Sequence, residues 1–142
     1  MNNFTFYSPT EFVFGRETES RTAELVKKYG GSKVLIVYGG GSVIRSGLLA
    51  RVESVLSNAG IAYVELGGIQ PNPTDPKVYE GIELGRRERI DFILPVGGGS
   101  VIDTAKAIAV GIPYEGDFWD FFIGKAVPEK AVRIGVVLTI PA

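Results

Sequence analysis

Behind Lys33, Val34-Leu35-Ile36-Val37-Tyr38 is an apolar run rich in β-branched residues, with no polar alternation. A run of that kind suits a strand buried on both faces, as in a parallel sheet. Asp91 to Val96 has the same character, and Pro95 suggests that the end of this strand leaves the ladder. Ile61 to Leu66 and Arg133 to Leu138 predict two further strands, and Glu11 to Phe14 a short first one stopped at Gly15. Helical spacing of apolar residues predicts helices over 18–29, 43–59, 75–89 and 101–110. Gly30 and Gly60 stand where C-terminal caps belong, and Asp75-Pro76 pairs a preferred N-cap with a preferred first helical residue. Residues 111–128 lack either period.

Strands alternating with helices imply right-handed crossovers and an α/β fold: a doubly wound, mostly parallel, Rossmann-like sheet in a single domain covering 1–142. Composition agrees, with 45% hydrophobic residues to build a core and 22% charged. Fifteen Lys and Arg against sixteen Asp and Glu leave a formal net charge of −1, which gives no general attraction for nucleic acid or anionic membrane. The start, Met1-Asn2-Asn3-Phe4, is not a leader pattern, and no apolar run is long enough to span a bilayer; both predict a cytoplasmic protein. Cysteine and histidine are absent, so disulfides, thiolate nucleophiles, Ser-His and Cys-His dyads and imidazole metal sites are excluded.

Glycine changes the picture, because much of its count of 19 falls in clusters. Gly39-Gly40-Gly41-Ser42-Val43-Ile44 recurs, identical at all six positions, as Gly97-Gly98-Gly99-Ser100-Val101-Ile102. Each copy follows a buried-type strand and opens a helix. A helix N-terminus offers unpaired N–H groups and positive dipole character to phosphate. Glycines admit positive φ and let a ligand approach the backbone, and the serine either caps the helix or bonds a phosphate oxygen. Neither copy fits G-x-G-x-x-G, since Ile44 and Ile102 hold the third glycine position, and neither ends like a P-loop. A tight turn with a serine cap would explain one copy; two at strand ends, where open α/β sheets bind ligands, point to a nucleotide.

These passages together resemble the iron-containing alcohol dehydrogenases, in their NADPH-dependent butanol dehydrogenase-like branch. Val37-Tyr-Gly-Gly-Gly-Ser42, Gly67-Gly-Ile-Gln-Pro-Asn-Pro73, Val96-Gly-Gly-Gly-Ser-Val-Ile-Asp-Thr-Ala-Lys106 and Val137-Leu-Thr-Ile-Pro-Ala142 carry the likeness in order. The resemblance implies that Gly97, Gly98, Gly99 and Ser100 cradle the cofactor pyrophosphate. Asn72 would face adenosine, Thr139 would contact the cofactor near the last strand, and Asp103 would point toward the nicotinamide. Gly39, with Gly40, Gly41 and Ser42, would occupy the adenosine ribose end. NAD-using relatives tend to carry an aspartate at Gly39, which would repel a 2′-phosphate, so the expected cofactor is NADP(H) rather than NAD(H). The branch usually carries lysine where this chain has Ile44; Arg45 either replaces that charge or faces solvent. Glu65 is an alternative ribose acid that would favour NAD, or else a solvated surface residue.

The family's helical second domain, where an aspartate and three histidines hold iron or zinc, is absent from these 142 residues. The resemblance therefore implies a primary alcohol and aldehyde oxidoreductase, of which this chain is the cofactor-binding part or a short derivative. No catalytic or metal residue is assigned, and the chain alone is expected to be inactive. The alternative is a non-catalytic nucleotide-binding or assembly module. A homodimer is implied by the family's use of the N-terminal strand. Asp117-Phe-Trp-Asp120 reads as an aromatic-anchored loop rather than a metal or acid–base pair, Lys106 as an ion-pair partner of Asp103 or a functional cation, and the Glu83 to Arg89 charges as a solvated helix face.

Overall fold

The computed structural model describes residues 3–71 and 75–139. Five strands form one sheet: β1 (Lys33–Tyr38), β2 (Ala62–Leu66), β3 (Phe92–Gly97), β4 (Arg133–Ile134) and β5 (Val137–Leu138). Their order is β2-β1-β3-β4, with β5 also beside β3, and every pairing is parallel. The helices are α1 (Thr22–Lys28), α2 (Ser42–Arg45), α3 (Leu48–Asn58), α4 (Asp75–Arg87), α5 (Gly99–Gly111) and α6 (Trp119–Phe122), with a 3-10 turn over Thr18–Arg21.

The period of two along β1 divides its apolar run between two cores. Val34 and Ile36 join Phe92, Leu94 and Val96 under α1, α2 and α3, where Val26, Val52 and Leu56 are buried. Leu35, Val37 and Ile93 face α4 and α5, against Val78, Ile82, Ala105 and Ile108. Both faces are covered, which is why the strand needs no polar positions. Helices α4 and α5 pack closely because each shows glycine to the other. A Cβ on Gly81 would lie 2.8 Å from Ile108 Cγ1, and one on Gly111 2.8 Å from Ile82 Cγ1.

Four expectations are corrected, and the first is that the single strand expected over Arg133 to Leu138 is two, β4 and β5, parted at Gly135-Val136. Glu11 to Phe14 forms no strand among the described residues; Phe12 and Phe14 are 85% and 102% exposed. Apolar alternation makes a strand only where a ladder partner is in reach, and here the segment is held instead through Glu11, which accepts from Lys28 Nζ (2.8 Å) and Tyr29 Oη (2.6 Å). The helix expected over 43–59 is two helices, because Gly47 takes φ +77 and breaks it after one turn. Strand β3 does not end at Pro95, which pairs with Val37 in the middle of the sheet. On its other edge the ladder is interrupted: β3 pairs with Ile134 at Ile93 and next with Val137 at Val96, so Pro95, with no N–H to give, lies in that gap.

Caps are more legible. Gly30 and Gly60 take φ +82 and +73 and close α1 and α3 with bonds from Gly31 N–H to Val26 O and from Ile61 N–H to Leu56 O. The charged end of α4 is more than a solvated face. Arg86 donates to the carbonyls of Gly111 (2.9 Å), Ile112 (3.1 Å) and Tyr114 (2.6 Å), closing the C-terminus of α5, and Lys33 Nζ reaches Glu88 (2.9 Å).

Candidate cofactor site

Strand β1 leads outward to β2, whereas β3 leads outward to β4, so the order reverses between β1 and β3. At such a switch point the loops leaving the strand ends diverge and open a crevice. Both glycine turns start there: Tyr38 pairs with Val96, and the next residues are Gly39 and Gly97. The two turns are side by side, since a Cβ on Gly39 would lie 3.6 Å from Val101 Cγ2 and 3.1 Å from the carbonyl of Ile69. The loop after β2 walls the crevice. Gly68 N–H donates to Gly39 O (3.1 Å) and Ile69 N–H to Tyr38 O (3.2 Å), while the Tyr38 ring lies where a Cβ on Gly67 would go.

At the second turn, Gly97 has φ +156 and a Cβ there would lie 2.9 Å from Val101 Cγ2. Gly98, extended, is the N-cap of the 13-residue α5, and no side chain caps that helix. Of the two roles open to Ser100, capping the helix is not the one it takes. The first intrahelical bond, Ile102 N–H to Gly98 O (3.1 Å), leaves the preceding N–H groups at the helix start directed outward. A Cβ on Gly99 would meet nothing within 4 Å, so the approach to these donors is open. Thr139 is brought to this turn as well, donating its N–H to Gly97 O (3.1 Å) one residue past β5.

The first turn differs. Gly41 is the N-cap of α2, again without a side-chain cap from Ser42, and Gly40 is open to solvent. Arg45 folds back over this turn: a Cβ on Gly41 would overlap its Nη1 and lie 3.0 Å from its Cζ. On the neighbouring edge strand, Glu65 is not a lone surface acid. A hydrogen bond with the Glu53 carboxyl, then burial and the like charge of Glu53, push its pKa up to about 7. Burial, followed by the charges of Glu65 and Glu53, also raises the Tyr38 hydroxyl above its usual value.

Asp103 lies on α5 with its carboxylate 3.9 Å from Lys106 Nζ, both side chains about two-thirds exposed (67% and 65%), an ion pair of the weak surface kind. Both border an open groove of about 670 Å³ that also touches Val78, Phe118, Trp119 and Phe122. Asp117 and Asp120 are structural ties. The first accepts from Tyr79 Oη (2.6 Å) and Trp119 N–H (3.0 Å), which hold its pKa below the usual range, and the second accepts from Tyr114 Oη (2.9 Å). Asn72 lies outside the described residues.

Sequence reasoning misses the Glu53–Glu65 pair and the wall formed by the loop after β2. Glu65 stands out by its distance from the first turn, but nothing in the chain marks Glu53 as its partner across α3. The Gly67-Gly68 doublet signals a turn without showing that it bonds back to β1.

A parallel α/β sheet with two glycine turns at its switch point, one opening an uncapped long helix, is a Rossmann-like domain whose crevice suits a nucleotide. Comparison with known proteins makes the class specific: residues 9–142 match the family model described as iron-containing alcohol dehydrogenase, and the chain belongs to that family. It is 48% identical over 142 residues to a probable NADH-dependent butanol dehydrogenase 2 of Bacillus subtilis, covering 100% of this chain and 36% of that protein. It is 38% identical over 146 residues to the NADPH-dependent aldehyde reductase YqhD of Escherichia coli, again covering 100% of this chain and 36% of the relative. The crystal structure of NADH-dependent butanol dehydrogenase A from Thermotoga maritima superposes with a TM-score of 0.96 at 49% identity, over 100% of this chain and 36% of that one. The chain thus spans 36% of the length of these relatives. The cofactors in their names divide between NADH and NADPH, so family membership does not carry the expected preference for NADP(H).

The residues present do not fit iron. Histidine and cysteine are absent from the sequence, and no cluster of three acidic side chains suited to a metal occurs among the described residues. A dinucleotide fits better, since the open glycine backbone and the free helix start are the chemistry phosphate requires.

Proposed function

We propose that this chain binds NADP(H) across its two glycine turns, as the cofactor domain of an oxidoreductase that interconverts primary alcohols and aldehydes. The observation that carries this reading is the uncapped start of α5, placed beside the Gly39–Ser42 turn where the strand order reverses. Gly97, Gly98, Gly99 and Ser100 would hold the pyrophosphate at the positive end of the long helix, with Thr139 at its edge. Gly39, Gly40, Gly41 and Ser42 would receive the adenosine ribose, and Asn72 the adenine side. Asp103, one turn along α5, would face the nicotinamide end. The bound nicotinamide supplies or accepts the hydride; the groups of this chain bind and orient it. A partner domain would supply the iron or zinc and most of the substrate pocket.

Preference for NADP(H) rests on the turn itself, where Gly39 and Gly40 present backbone and space instead of a carboxylate. Fluorescence titration of the chain with NADPH and with NADH tests the reading. Saturable binding with NADPH the tighter ligand is expected, and no binding of either up to millimolar cofactor would count decisively against it.

A second reading, an assembly module that kept the fold, is favoured by a separate observation. Phe4, Phe6, Tyr7, Phe12 and Phe14 are each more than 80% exposed along one N-terminal segment. Apolar surface of that kind is stabilised by a second copy, and a homodimer is compatible with both readings. Light scattering across a wide concentration range would show a dimer, and a strict monomer would remove this support. No helix among the described residues is long and apolar enough to cross a membrane.

A further inference from the structure

The two glycine turns share a feature that their common sequence does not contain: the carbonyl of the first glycine is already taken. Gly39 O accepts from Gly68 N–H (3.1 Å) and Gly97 O from Thr139 N–H (3.1 Å). Each donor stands just past a flanking strand, β2 on the outer side of β1 and β5 on the outer side of β3. A trans peptide points its C=O and N–H in opposite directions. The N–H groups of Gly40 and Gly98 are thus turned inward, to the space between the turns, and neither has a hydrogen-bond partner among the described residues.

The two locks are held differently. Thr139 directly continues β5, whose Leu138 is paired with Gly97 in the ladder. Gly68 lies in a loop, because β2 ends at Leu66, and that loop needs another anchor. Val37 pairs with Leu66, which brings Gly67 opposite Tyr38. Gly67 has no side chain, and the Tyr38 ring occupies its place, with Cζ 2.6 Å from where a Cβ would stand. The Tyr38 carbonyl accepts from Ile69 N–H (3.2 Å), and the Ile69 side chain is buried in the core under α4 and α5. Tyr38 therefore grips the loop on both sides of Gly68, by its ring and by its carbonyl.

Resting on the dinucleotide reading above, we infer that Tyr38 is a positioning residue of the cofactor site: its ring, laid over Gly67, holds the loop after β2 on the Gly39 carbonyl and so keeps the Gly40 N–H turned toward the ligand. The role concerns the backbone of the turn, so it serves NADH and NADPH alike.

Amide hydrogen exchange followed by NMR, with fluorescence titration by NADPH and by NADH, tests this on the 142-residue chain and on Tyr38→Ala, Tyr38→Phe and Gly67→Ala. Tyr38→Ala should speed exchange at Gly68 and Ile69 about tenfold or more, while the Leu35 and Ile93 amides of the central strands stay protected. It should weaken both cofactors about tenfold, since the loop must then be ordered at the moment of binding. Tyr38→Phe, which keeps the ring, should restore protection and affinity together. Gly67→Ala displaces the ring from the other side and should reproduce Tyr38→Ala, which keeps the inference open to refutation if Tyr38→Ala does not fold. Faster exchange at Gly68 with affinity unchanged, or affinity lost with Gly68 still protected, overturns the positioning role and leaves the dinucleotide site standing. Loss of protection at Leu35 and Ile93 as well, in both Tyr38→Ala and Gly67→Ala, would reduce Tyr38 to a general support of the fold and overturns it too. If neither cofactor binds the unaltered chain, the dinucleotide reading fails and this inference with it.

Discussion

Gly39–Ile44 and Gly97–Ile102 are the same six residues, each leaving a buried parallel strand, yet the first ends after one helical turn and the second opens a helix of 13 residues. The difference begins within the copies. Gly98 is extended and α5 starts at Gly99, whereas Gly41 is already helical and α2 starts one position later in the repeat, at Ser42. The residues after each copy decide the rest. Arg45-Ser46-Gly47 includes a residue at φ +77 that cannot continue a helix, while Asp103-Thr104-Ala105 continues it and buries Thr104 and Ala105. The valines, Val43 and Val101, are both buried, but in the two different cores. A glycine-rich hexapeptide thus supplies backbone freedom, and its neighbours convert that freedom into either a fixed helix start or an open turn with a charged side chain.

The comparison can be broken hardest at the strand-end glycines. Gly97→Ala places a Cβ 2.9 Å from Val101 at φ +156, and should destabilise the chain by about 1–3 kcal/mol in urea denaturation. Gly39→Ala meets the Ile69 carbonyl at 3.1 Å and Val101 Cγ2 at an ordinary contact distance of 3.6 Å, and should cost less than about 1 kcal/mol. Equal losses at the two sites would mean that the turns are structurally equivalent after all.

Gly47 is the next lever. Replacing it with alanine at φ +77 should cost about 1–2 kcal/mol, without the gain in helix content that fusing α2 to α3 would bring. A rise in far-ultraviolet helicity, together with raised stability, would show that the break at Gly47 is not built into the fold.

Gly99→Ala separates ligand approach from folding, because its Cβ meets no protein atom within 4 Å. Stability should be unchanged or slightly raised, whereas NADPH affinity should fall about tenfold, or about 1.4 kcal/mol, as the methyl intrudes on the phosphate approach. Gly40→Ala, also open, should weaken binding less, since the four-residue α2 offers phosphate fewer aligned N–H groups than the 13-residue α5.

The smallest effect concerns pH. Glu65 keeps its proton up to about 7 in the folded chain, above the ordinary carboxyl value near 4.5. The folded state therefore binds the proton more tightly than the unfolded one. Its contribution to stability is fully present below pH ~4.5 and is lost as pH rises through about 7. Glu53→Gln should flatten this slope by removing the like charge, and thermal melts at several pH values between those limits would reveal it. A slope of the opposite sign would refute the raised pKa of Glu65.

Element types are legible because they depend on local pattern. The runs in β1 and β3, the helical periods and the glycine caps each state their role within a few residues. A first strand is wrongly expected because Phe12-Val13-Phe14 satisfies the pattern but finds no ladder among the described residues. One long helix over 43–59 is wrongly expected because the apolar spacing continues across Gly47, and only its backbone angle reveals the break. Gly81 and Gly111, unremarkable in sequence, are what lets α4 and α5 close together.

The sequence by itself determined the parallel α/β class, the two phosphate-suited turns and the family, since these depend on hydrophobic period, residue type and motif order. It also excluded a histidine or cysteine metal site, which is a matter of composition alone. Only the tertiary structure decided that the turns adjoin, because adjacency depends on β3 pairing with β1 across the intervening crossover. The structure likewise decided that α5 starts without a side-chain cap, that Glu53 faces Glu65 and raises its pKa, and that Arg45 lies over Gly41. The first and third depend on backbone angles and a side-chain rotamer that residue types do not fix, and the second on the distance between groups far apart in the chain.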